Sequence, residues 1–445
     1  MLMRSVSGLR GVVGADLTPE IVARHAAAFG QIMKRRPIVV ATDTRPTGSM
    51  IKEAAISGLL SVGCDVIDIG VAPTPTVPLA VTHYRAAAGI AVTASHNPVE
   101  WNALKFLGTA QDPLQPHIIE RVYRLADNNA ISYRPWNKIG QRTLGAGTQR
   151  LHIDKVCGLK AVDTRAVSRA RPTVVFDGCG GAAWEYGPAL LRRLGCRVHA
   201  IHCAIGPRFP RGAAPVPKNL KTLCAAVRRT KADIGFAVDP DSDRLAIVDE
   251  KGVPLGEERT LVLAVYWVLS KTPGTVVTNM STTQAVMDVA SAFGQSGYTS
   301  KVGEANVATL MKAKRAVIGG EGNGGVIMPA LHPGRDALLG MALVLSLLAN
   351  ANAAISSISA GLPIYYDAKK TVPRPNDLPD RLRRFAAHYV KEHQDDRDGI
   401  KVGLTDGSIH VRPSNTEPIV RISAEARTRT RAKELLAEAA VVLGL

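Results

Sequence analysis

Short apolar runs alternate along this chain with longer segments that are rich in alanine and leucine. Residues 37–41 precede such a segment at 48–62, and residues 173–176 precede another at 183–194. Strands that alternate with helices in this way are typical of α/β layers with mostly parallel strands. The pattern predicts an α/β fold with three similar α/β units, whose sheets are mixed and mostly parallel, and a smaller C-terminal α+β unit.

One long segment, residues 337–366, contains no charged side chain and raises the question of a membrane span. Asn350, Asn352 and several serines interrupt its apolar character, so we predict a buried core helix followed by a loop and no membrane association. The N-terminus lacks the apolar core of a signal peptide, and the six cysteines form no Cys-x-x-Cys pair. These features favour a reduced, cytoplasmic setting.

A serine and a histidine stand side by side just after an apolar run at residues 87–93. The run predicts a buried strand, and Pro98 ends it because proline forces the preceding residue out of helical geometry. Ser95 would then lie at the C-terminal edge of a parallel sheet, where open α/β sheets bind ligands. We interpret Ser95 as the likeliest place for a covalent bond to form. An ordinary polar turn is the alternative.

Three aspartates at alternate positions, Asp239, Asp241 and Asp243, follow a second apolar run at residues 234–238. In an extended segment alternate side chains point to the same side, so the three carboxylates can converge on one hard cation. The apolar run at 245–248 that follows predicts a tight loop between two strands. Magnesium is favoured over zinc because the cluster contains no His or Cys. The alternative is an exposed acidic turn.

Two further loops offer polar groups between apolar runs. Residues 319–325 read Gly-Gly-Glu-Gly-Asn-Gly-Gly, where glycines allow close backbone approach and Glu321 and Asn323 suit sugar hydroxyls. Residues 412–418 read Arg-Pro-Ser-Asn-Thr-Glu-Pro and predict a phosphate cradle made of one guanidinium, hydroxyls and backbone N–H groups. Either loop taken alone is also compatible with a plain hairpin turn.

These four loops, in this order, resemble the α-D-phosphohexomutase family, which includes phosphoglucomutase, phosphomannomutase and phosphoglucosamine mutase. The N-terminal Ser7-Gly8-Leu9-Arg10-Gly11 adds a fifth similarity, so the resemblance spans nearly the whole chain. It implies four domains around a central cleft. We expect a phosphoserine domain at 1–148, a metal-binding domain at 149–251, a sugar-binding domain at 252–360 and a phosphate-binding C-terminal domain at 361–445.

The resemblance also implies a role for each loop. Ser95 would carry a phosphoryl group and, with the three aspartates, hold Mg²⁺. Four further side chains would surround the phosphoryl group: Arg10, His96, Lys105 and Arg244. Of these, Lys105 would act as an acid/base or as a contact to the transition state. The expected sugar contacts are Lys301, Glu321 and Asn323. The expected contacts to the non-reacting phosphate are Arg412, Ser414, Asn415 and Thr416.

The implied activity is that of an isomerase which interconverts hexose 6-phosphate and hexose 1-phosphate. Phosphoserine would donate its phosphoryl group, form a hexose 1,6-bisphosphate and recover the other phosphate after the bisphosphate has turned over. One departure concerns the sugar loop, because many relatives carry a histidine where this chain has Gly325. His332 either substitutes for it or is structural. The loop most resembles phosphoglucosamine mutases, which favours glucosamine phosphate over glucose and mannose phosphates.

The chain is strongly basic, with 55 Lys and Arg against 38 Asp and Glu and a net charge of +17. Such a surface would steer phosphorylated sugars, and it would also attract nucleic acid. Aromatic residues make up only 4% and no nucleic-acid-binding motif is present, so nucleic acid is not the expected partner. We expect a monomer or a homodimer. A metal-dependent sugar phosphatase and a non-catalytic phosphosugar or nucleic-acid binder remain as alternative functions.

Overall fold

Four separate β-sheets, each built from a continuous stretch of sequence, organise the chain in the computed structural model. The structure describes residues 2–6, 8–414 and 418–445. Three of the sheets are mixed and carry helices, whereas the C-terminal sheet is antiparallel throughout. The prediction of three α/β units and a smaller α+β unit is therefore confirmed.

The N-terminal sheet contains seven strands and packs with four helices. Its strands are β1 (Met3–Ser5), β2 (Gly8–Val12), β3 (Ile38–Thr42), β4 (Val66–Val71), β5 (Ala88–Val92), β6 (Trp101–Leu107) and β7 (Arg142–Leu144). Its helices are α1 (Pro19–Ile32), α2 (Gly48–Ser61), α3 (Thr76–His83) and α4 (Pro116–Asp127). The strand order is β1-β2-β6-β5-β3-β4-β7. The fully buried strands β3 and β5 run parallel at its centre, so both end at the same edge.

The second sheet has four strands in the order β11-β10-β8-β9. Its strands are β8 (Thr173–Asp177), β9 (Arg197–Ile201), β10 (Ile234–Val238) and β11 (Leu245–Val248), and its helices are α5 (Thr148–Cys157), α6 (Thr164–Ala170), α7 (Tyr186–Arg193) and α8 (Lys221–Thr230). β10 and β11 form an antiparallel hairpin, as the apolar runs predict. The loop with the three aspartates connects these two buried strands.

The third sheet has four strands in the order β13-β12-β14-β15. Its strands are β12 (Val276–Asn279), β13 (Gly297–Ser300), β14 (Ile318–Glu321) and β15 (Gly325–Ile327), and its helices are α9 (Glu257–Lys271), α10 (Ala285–Ala292), α11 (Glu304–Lys314), α12 (Ala337–Ala351) and α13 (Ile355–Ala360). The uncharged segment forms the buried helix α12, as predicted, but the short helix α13 lies where only a loop was expected. No helix in the described part of the chain is long and apolar enough to span a membrane.

The C-terminal sheet has five strands in the order β16-β20-β19-β18-β17. Its strands are β16 (Tyr366–Pro373), β17 (His393–Asp395), β18 (Ile400–Leu404), β19 (Gly407–Pro413) and β20 (Ile419–Ala426), and its helices are α14 (Leu378–His388) and α15 (Arg429–Leu443). β19 and β20 flank the predicted phosphate loop, of which the structure describes Arg412 to Ser414 and Pro418. A separate apolar core lies between this sheet and its two helices.

Two local expectations about the loops need correction. The segment with the three aspartates is a turn in which Ser242 has a left-handed φ of 61°, and it is not extended. The carboxylates therefore converge through a tight turn rather than through the alternation of an extended strand. In the sugar loop, Gly319, Gly320 and Glu321 belong to β14, because they pair with β15 across an antiparallel hairpin. The irregular part of that loop is only the segment between the two strands.

Candidate active site

Ser95 lies just beyond the C-terminal end of β5, at the edge of the sheet where the sequence places it. The residue is buried, with 3% of its surface exposed, and has a left-handed φ of 50°. Its backbone N–H donates to Thr93 Oγ1 at 3.0 Å. Non-glycine residues in this conformation cost about 1–3 kcal/mol and persist only where the surroundings hold them. The loop thus presents the Ser95 hydroxyl in a fixed direction.

A buried arginine that the sequence analysis did not single out, Arg45, holds this loop. Its Nη2 donates to the carbonyl oxygens of Ser95 and Asn97 at 2.5 and 2.9 Å, and its Nη1 donates to that of Pro98 at 2.5 Å. Its Nε pairs with Asp43 at 3.0 Å. Arg45 follows β3 and so comes from the same sheet edge as Ser95. The sequence could have indicated Arg45, because it belongs to a polar cluster that directly follows an apolar strand.

The aspartate turn faces Ser95 from the second sheet. Ser95 Oγ donates to Asp239 Oδ2 at 2.9 Å, and Asp239 Oδ1 accepts the backbone N–H groups of Asp243 and Arg244, both at 3.1 Å. One oxygen from each of Asp239, Asp241 and Asp243 lies within 4.8 Å of the others. The prediction that these side chains converge is confirmed by this geometry.

The donor set fits a hard divalent cation. In the described chain, Asp241 Oδ1 and Asp243 Oδ1 are buried and accept no hydrogen bond. Arg244 Nε lies 3.7 Å from Asp243 Oδ1, beyond hydrogen-bond distance. Buried carboxylate oxygens without donors are costly unless a cation or proton satisfies them. Three carboxylates and no His or Cys form a ligand set that Mg²⁺ accepts.

The three carboxylates share their charge unequally. Burial raises the pKa of Asp239 well above its usual range, and the neighbouring Asp243 and Asp241 raise it further. Burial also opposes ionisation of Asp241, but Lys105 Nζ at 2.5 Å outweighs it and holds the pKa of Asp241 below its usual range. Lys105 comes from β6 and also lies 3.4 Å from Asp243. Lys105 therefore contacts the aspartate turn, which is the candidate metal turn, as its predicted place beside the phosphoryl group requires.

The other predicted phosphoryl contacts gather around the same point. His96 Nδ1 lies 3.5 Å from Ser95 Oγ, and burial followed by the charges of Arg244 and Arg10 lowers the pKa of His96 to about 3. Arg10 donates to Asn97 Oδ1 at 2.7 Å, and Arg244 Nε lies 4.0 Å from Asp239. These residues are brought together with Ser95.

The sugar loop reaches this cluster through the third sheet. Glu321 is buried, and its Oε1 accepts Asn279 Nδ2 at 2.7 Å and the Gly303 N–H at 3.1 Å. Asn323 Oδ1 is buried and has no hydrogen-bond partner among the described residues, which leaves it available to a ligand. Lys301 follows β13 with an exposed side chain.

The C-terminal domain contributes a buried arginine near the same region. Arg412 lies near the end of β19 with 8% exposure, 3.6 Å from Asp398. Burial lowers the pKa of Arg412, against the charges of Asp398 and Glu321, which raise it. Ser414 is also buried, and its N–H donates to the carbonyl of Ile419 at 2.9 Å. Asn415 and Thr416, like Ser7 near the N-terminus, lie outside the residues that the structure describes.

His332, which could either replace the missing sugar-loop histidine or be structural, has a structural environment. Its Nδ1 accepts the Gly334 N–H at 3.0 Å, so its Nε2 carries the proton that faces Asp336 Oδ2 at 3.0 Å. His152 Nε2 reaches the same oxygen at 2.8 Å. Both nitrogens of His332 are therefore engaged within the fold, at the start of α12.

Two more side chains in the site were not expected from the sequence. Thr74 donates to Asp241 Oδ2 at 2.8 Å and so joins the first domain to the metal turn. Arg335 contacts Asp243 at 2.7 Å and Glu321 at 3.0 Å and so joins the metal turn to the sugar loop. Both residues stand in loops without a recognisable motif. Only their spatial neighbours reveal their place.

A serine hydroxyl beside three convergent carboxylates, with cationic side chains from the first three domains around them, suits an enzyme that transfers a phosphoryl group. Family models for phosphoglucomutase/phosphomannomutase match this chain along its length. Alpha/beta/alpha domains I, II and III match residues 2–131, 151–252 and 256–365, and the C-terminal domain matches residues 371–441.

Individual proteins show the same relationship. A protein named probable phosphoglucosamine mutase from Methanopyrus kandleri is 35% identical over 96% of this chain and 95% of its own length. One named phosphoglucomutase/phosphomannomutase from Thermococcus kodakarensis is 36% identical over 96% of this chain and 95% of its own. A crystal structure of a phosphoglucomutase/phosphomannomutase family protein from Burkholderia thailandensis superposes with a TM-score of 0.86 at 26% identity and covers 99% of this chain and 97% of its own.

The chain belongs to the phosphoglucomutase/phosphomannomutase family. The predicted resemblance to α-D-phosphohexomutases, and with it the class of isomerase, is confirmed at the level of the family.

Proposed function

We propose that this protein interconverts hexose 6-phosphates and hexose 1-phosphates through a phosphorylated Ser95. The observation that carries the proposal is the 2.9 Å contact between Ser95 Oγ and Asp239, at the rim of three buried carboxylates. A buried serine hydroxyl in a fixed loop suits a group that must be phosphorylated and dephosphorylated at one position. Cationic side chains around it suit the charge of a phosphoryl group.

Asp239, Asp241 and Asp243 would hold Mg²⁺ together with a phosphate oxygen on Ser95. The ion, when bound, neutralises charge on the transferring phosphoryl group. Two carboxylate oxygens without hydrogen-bond donors support this assignment, because they need a cation more than the remaining oxygens do. Lys105 and Arg244 add fixed positive charge on the protein side of the same group.

The proposed reaction moves one phosphoryl group in each direction. A sugar hydroxyl attacks the phosphorus on Ser95 and gives up its proton to a base, while the bond from phosphorus to Ser95 Oγ breaks and Ser95 Oγ takes up a proton to become a hydroxyl again. The product is a hexose 1,6-bisphosphate. After it turns over, Ser95 Oγ attacks its other phosphorus, so Ser95 is phosphorylated again and the isomeric monophosphate leaves. Added hexose 1,6-bisphosphate therefore acts as an activator for enzyme that has lost its phosphate.

Arg412 and Ser414 would hold the phosphate that does not react, together with Asn415 and Thr416. Among the described residues, the carboxylate paired with the buried Arg412 is that of Asp398 at 3.6 Å, beyond hydrogen-bond distance, and a guanidinium suits a phosphate. Glu321, Asn323 and Lys301 would contact the sugar.

Glucosamine phosphate is the first choice of substrate. The relatives from Methanopyrus kandleri and Pyrococcus abyssi are named probable phosphoglucosamine mutases, and a buried carboxylate such as Glu321 can pair with an ammonium group. The relative from Thermococcus kodakarensis carries the names of the glucose and mannose enzymes, so those sugars are the second choice. The six free cysteines support the reduced, cytoplasmic setting that we propose for the enzyme.

The test is turnover by purified protein with Mg²⁺ and a trace of hexose 1,6-bisphosphate, followed by ³¹P NMR. Glucosamine, glucose and mannose phosphates are compared side by side. Interconversion of the 1- and 6-phosphates supports the mutase and ranks its sugars. Release of inorganic phosphate alone would favour a phosphatase, and no reaction with any sugar would favour a phosphosugar-binding protein.

A further inference from the structure

Arg335 is a buried cation held by carboxylates from three different parts of the site. Its side chain is 11% exposed. Its Nη2 donates to Asp243 Oδ2 at 2.7 Å, its Nη1 lies 3.0 Å from Glu321 Oε2, and its Nε donates to Glu304 Oε2 at 2.7 Å. Asp243 belongs to the metal turn, Glu321 ends β14, and Glu304 begins α11. One guanidinium therefore links the metal turn to the sugar loop.

The side-chain stem of Arg335 occupies the space beside Gly325 in the sugar loop. A Cβ atom added to Gly325 would lie 2.1 Å from Arg335 Cδ and 2.7 Å from its Cγ. The backbone of Gly325 does not have a left-handed φ, unlike its neighbour Gly324 at 88°. Glycine is therefore needed at position 325 for space and not for backbone conformation. A larger residue at 325 would force the stem of Arg335 to move.

We infer that Arg335 is a positioning residue that couples the Mg²⁺ turn to the sugar-binding loop, and that Gly325 is glycine because the stem of Arg335 occupies its side-chain space. This inference rests on the proposed mutase function for its sugar side. On the metal side it rests on the proposed Mg²⁺ site at the three aspartates and on the 2.7 Å contact between Arg335 and Asp243, and it needs no mutase activity.

The contacts of Arg335 with Asp243 and with Glu321 predict opposite effects on Mg²⁺ binding and on sugar binding when the arginine is removed. A fixed cation this close to Asp243 opposes the binding of a second cation, because like charges repel strongly where water is excluded. Glu321, in contrast, loses a cation when the guanidinium is removed and keeps, among the described residues, the donors Asn279 Nδ2 and Gly303 N–H. Removal of Arg335 should therefore tighten Mg²⁺ binding and weaken sugar binding. A residue that only stabilised the fold would do neither.

The metal side is tested with Mg²⁺ alone, by titrating the full-length protein and following its thermal unfolding midpoint. We expect the apparent dissociation constant for Mg²⁺ to fall at least fivefold in Arg335→Gln. Arg335→Lys keeps the charge and should stay within about twofold of the wild type. Gly325→Ala should shift the constant in the same direction as Arg335→Gln, since its Cβ displaces the arginine stem.

The sugar side is tested by steady-state kinetics with the preferred hexose phosphate at saturating Mg²⁺. We expect KM to rise at least tenfold in Arg335→Gln and in Gly325→Ala, with a smaller fall in kcat. The double variant should have the same KM as Arg335→Gln alone, because both substitutions act by removing the same guanidinium from Glu321. Additive effects of the two substitutions would contradict the inference.

Two matched controls separate these effects from general damage. Arg427→Gln removes an arginine that pairs with Asp288 and is 56% exposed, and Gly206→Ala adds a Cβ whose nearest neighbour is 4.0 Å away. Both should leave the Mg²⁺ constant and KM unchanged. If Arg335→Gln lowers the thermal midpoint but leaves both constants within twofold of the wild type, Arg335 is structural only. If the wild type turns over no hexose phosphate, the proposed function fails, and the Mg²⁺ titration still decides whether Arg335 acts on the metal turn.

Discussion

Ser95 Oγ and Asp239 Oδ2 lie 2.9 Å apart although 144 residues separate them in the chain. Each residue follows a fully buried strand, β5 in the first sheet and β10 in the second. The contact therefore exists only when the first two domains are docked. Thr74 reinforces the docking, since it donates its hydroxyl to Asp241 and its backbone N–H to the carbonyl of Asp241.

Ser95→Ala should abolish phosphorylation of the protein by hexose 1,6-bisphosphate. The nucleophile is lost, so kcat for the hexose phosphate interconversion should fall by about a thousandfold or more. Intact-mass spectrometry detects the missing phosphate, and ³¹P NMR measures turnover. Ser57→Ala, at an exposed position of α2, is the matched control. A variant without Ser95 that kept wild-type turnover would contradict the phosphoserine mechanism.

Asp239→Asn should remove most of the thermal stabilisation that Mg²⁺ confers. Binding to the folded state alone raises stability in proportion to the logarithm of the ligand concentration above its dissociation constant. We expect about a tenfold or greater loss of Mg²⁺ affinity, because one of three anionic ligands becomes neutral. The measurement is the unfolding midpoint at increasing MgCl₂, with Asp154→Asn, an exposed carboxylate, as control. An equal Mg²⁺ response in both variants would exclude the aspartate turn as the metal site.

Arg45→Lys should loosen the phosphoserine loop. Lysine keeps the charge but offers no planar fork, so it cannot reach the carbonyls of Ser95, Asn97 and Pro98 together. A loss of about 2–4 kcal/mol is expected from the buried acceptors left without donors. The thermal midpoint and kcat/KM should both fall, while Arg36→Lys at an exposed site leaves both unchanged. A variant with full activity would show that Arg45 does not position the loop.

Glu258→Gln should raise the stability of the protein at neutral pH. The gain should be much smaller at acidic pH. Burial raises the pKa of Glu258 from 4.5 to about 8, while Lys369 and the Thr283 N–H lower it and Glu425 and Asp367 raise it. The folded state keeps this proton up to about pH 8, whereas the unfolded chain loses it near pH 4.5. The stability contributed by Glu258 is therefore full below pH 4.5 and is lost as the pH rises towards 8.

The check is the thermal midpoint of Glu258→Gln and of the wild type at intervals from pH 4.5 to 8.5. The difference in free energy of unfolding obtained from these midpoints should grow with pH and reach about 1–2 kcal/mol, a value reduced for the partial exposure of the side chain. Glu120→Gln, on the exposed face of α4, should show a difference that does not change with pH. A flat profile for Glu258→Gln would mean that the carboxyl is ionised in the folded protein.

The strands and the loops that follow them could be predicted from the sequence. Apolar runs located β5 and β10 to within a residue or two, because burial of a strand on both faces demands continuous apolar side chains. The polar clusters after them marked Ser95 and the three aspartates. The turn that brings the aspartates together was not predictable, since the left-handed Ser242 carries no glycine signal.

The tertiary structure alone decided which charges meet. Thr74 and Arg335 occupy loops without a motif, and each contacts an aspartate from a distant part of the chain. Arg45 follows an apolar strand, but its contact with Ser95 is likewise not visible in the sequence. A sequence pattern records periodic burial and local turn chemistry, which depend on neighbours along the chain. The pairing of Arg335 with Asp243 and Glu321 depends instead on how the second and third domains dock, and docking places charges side by side that no local spacing relates.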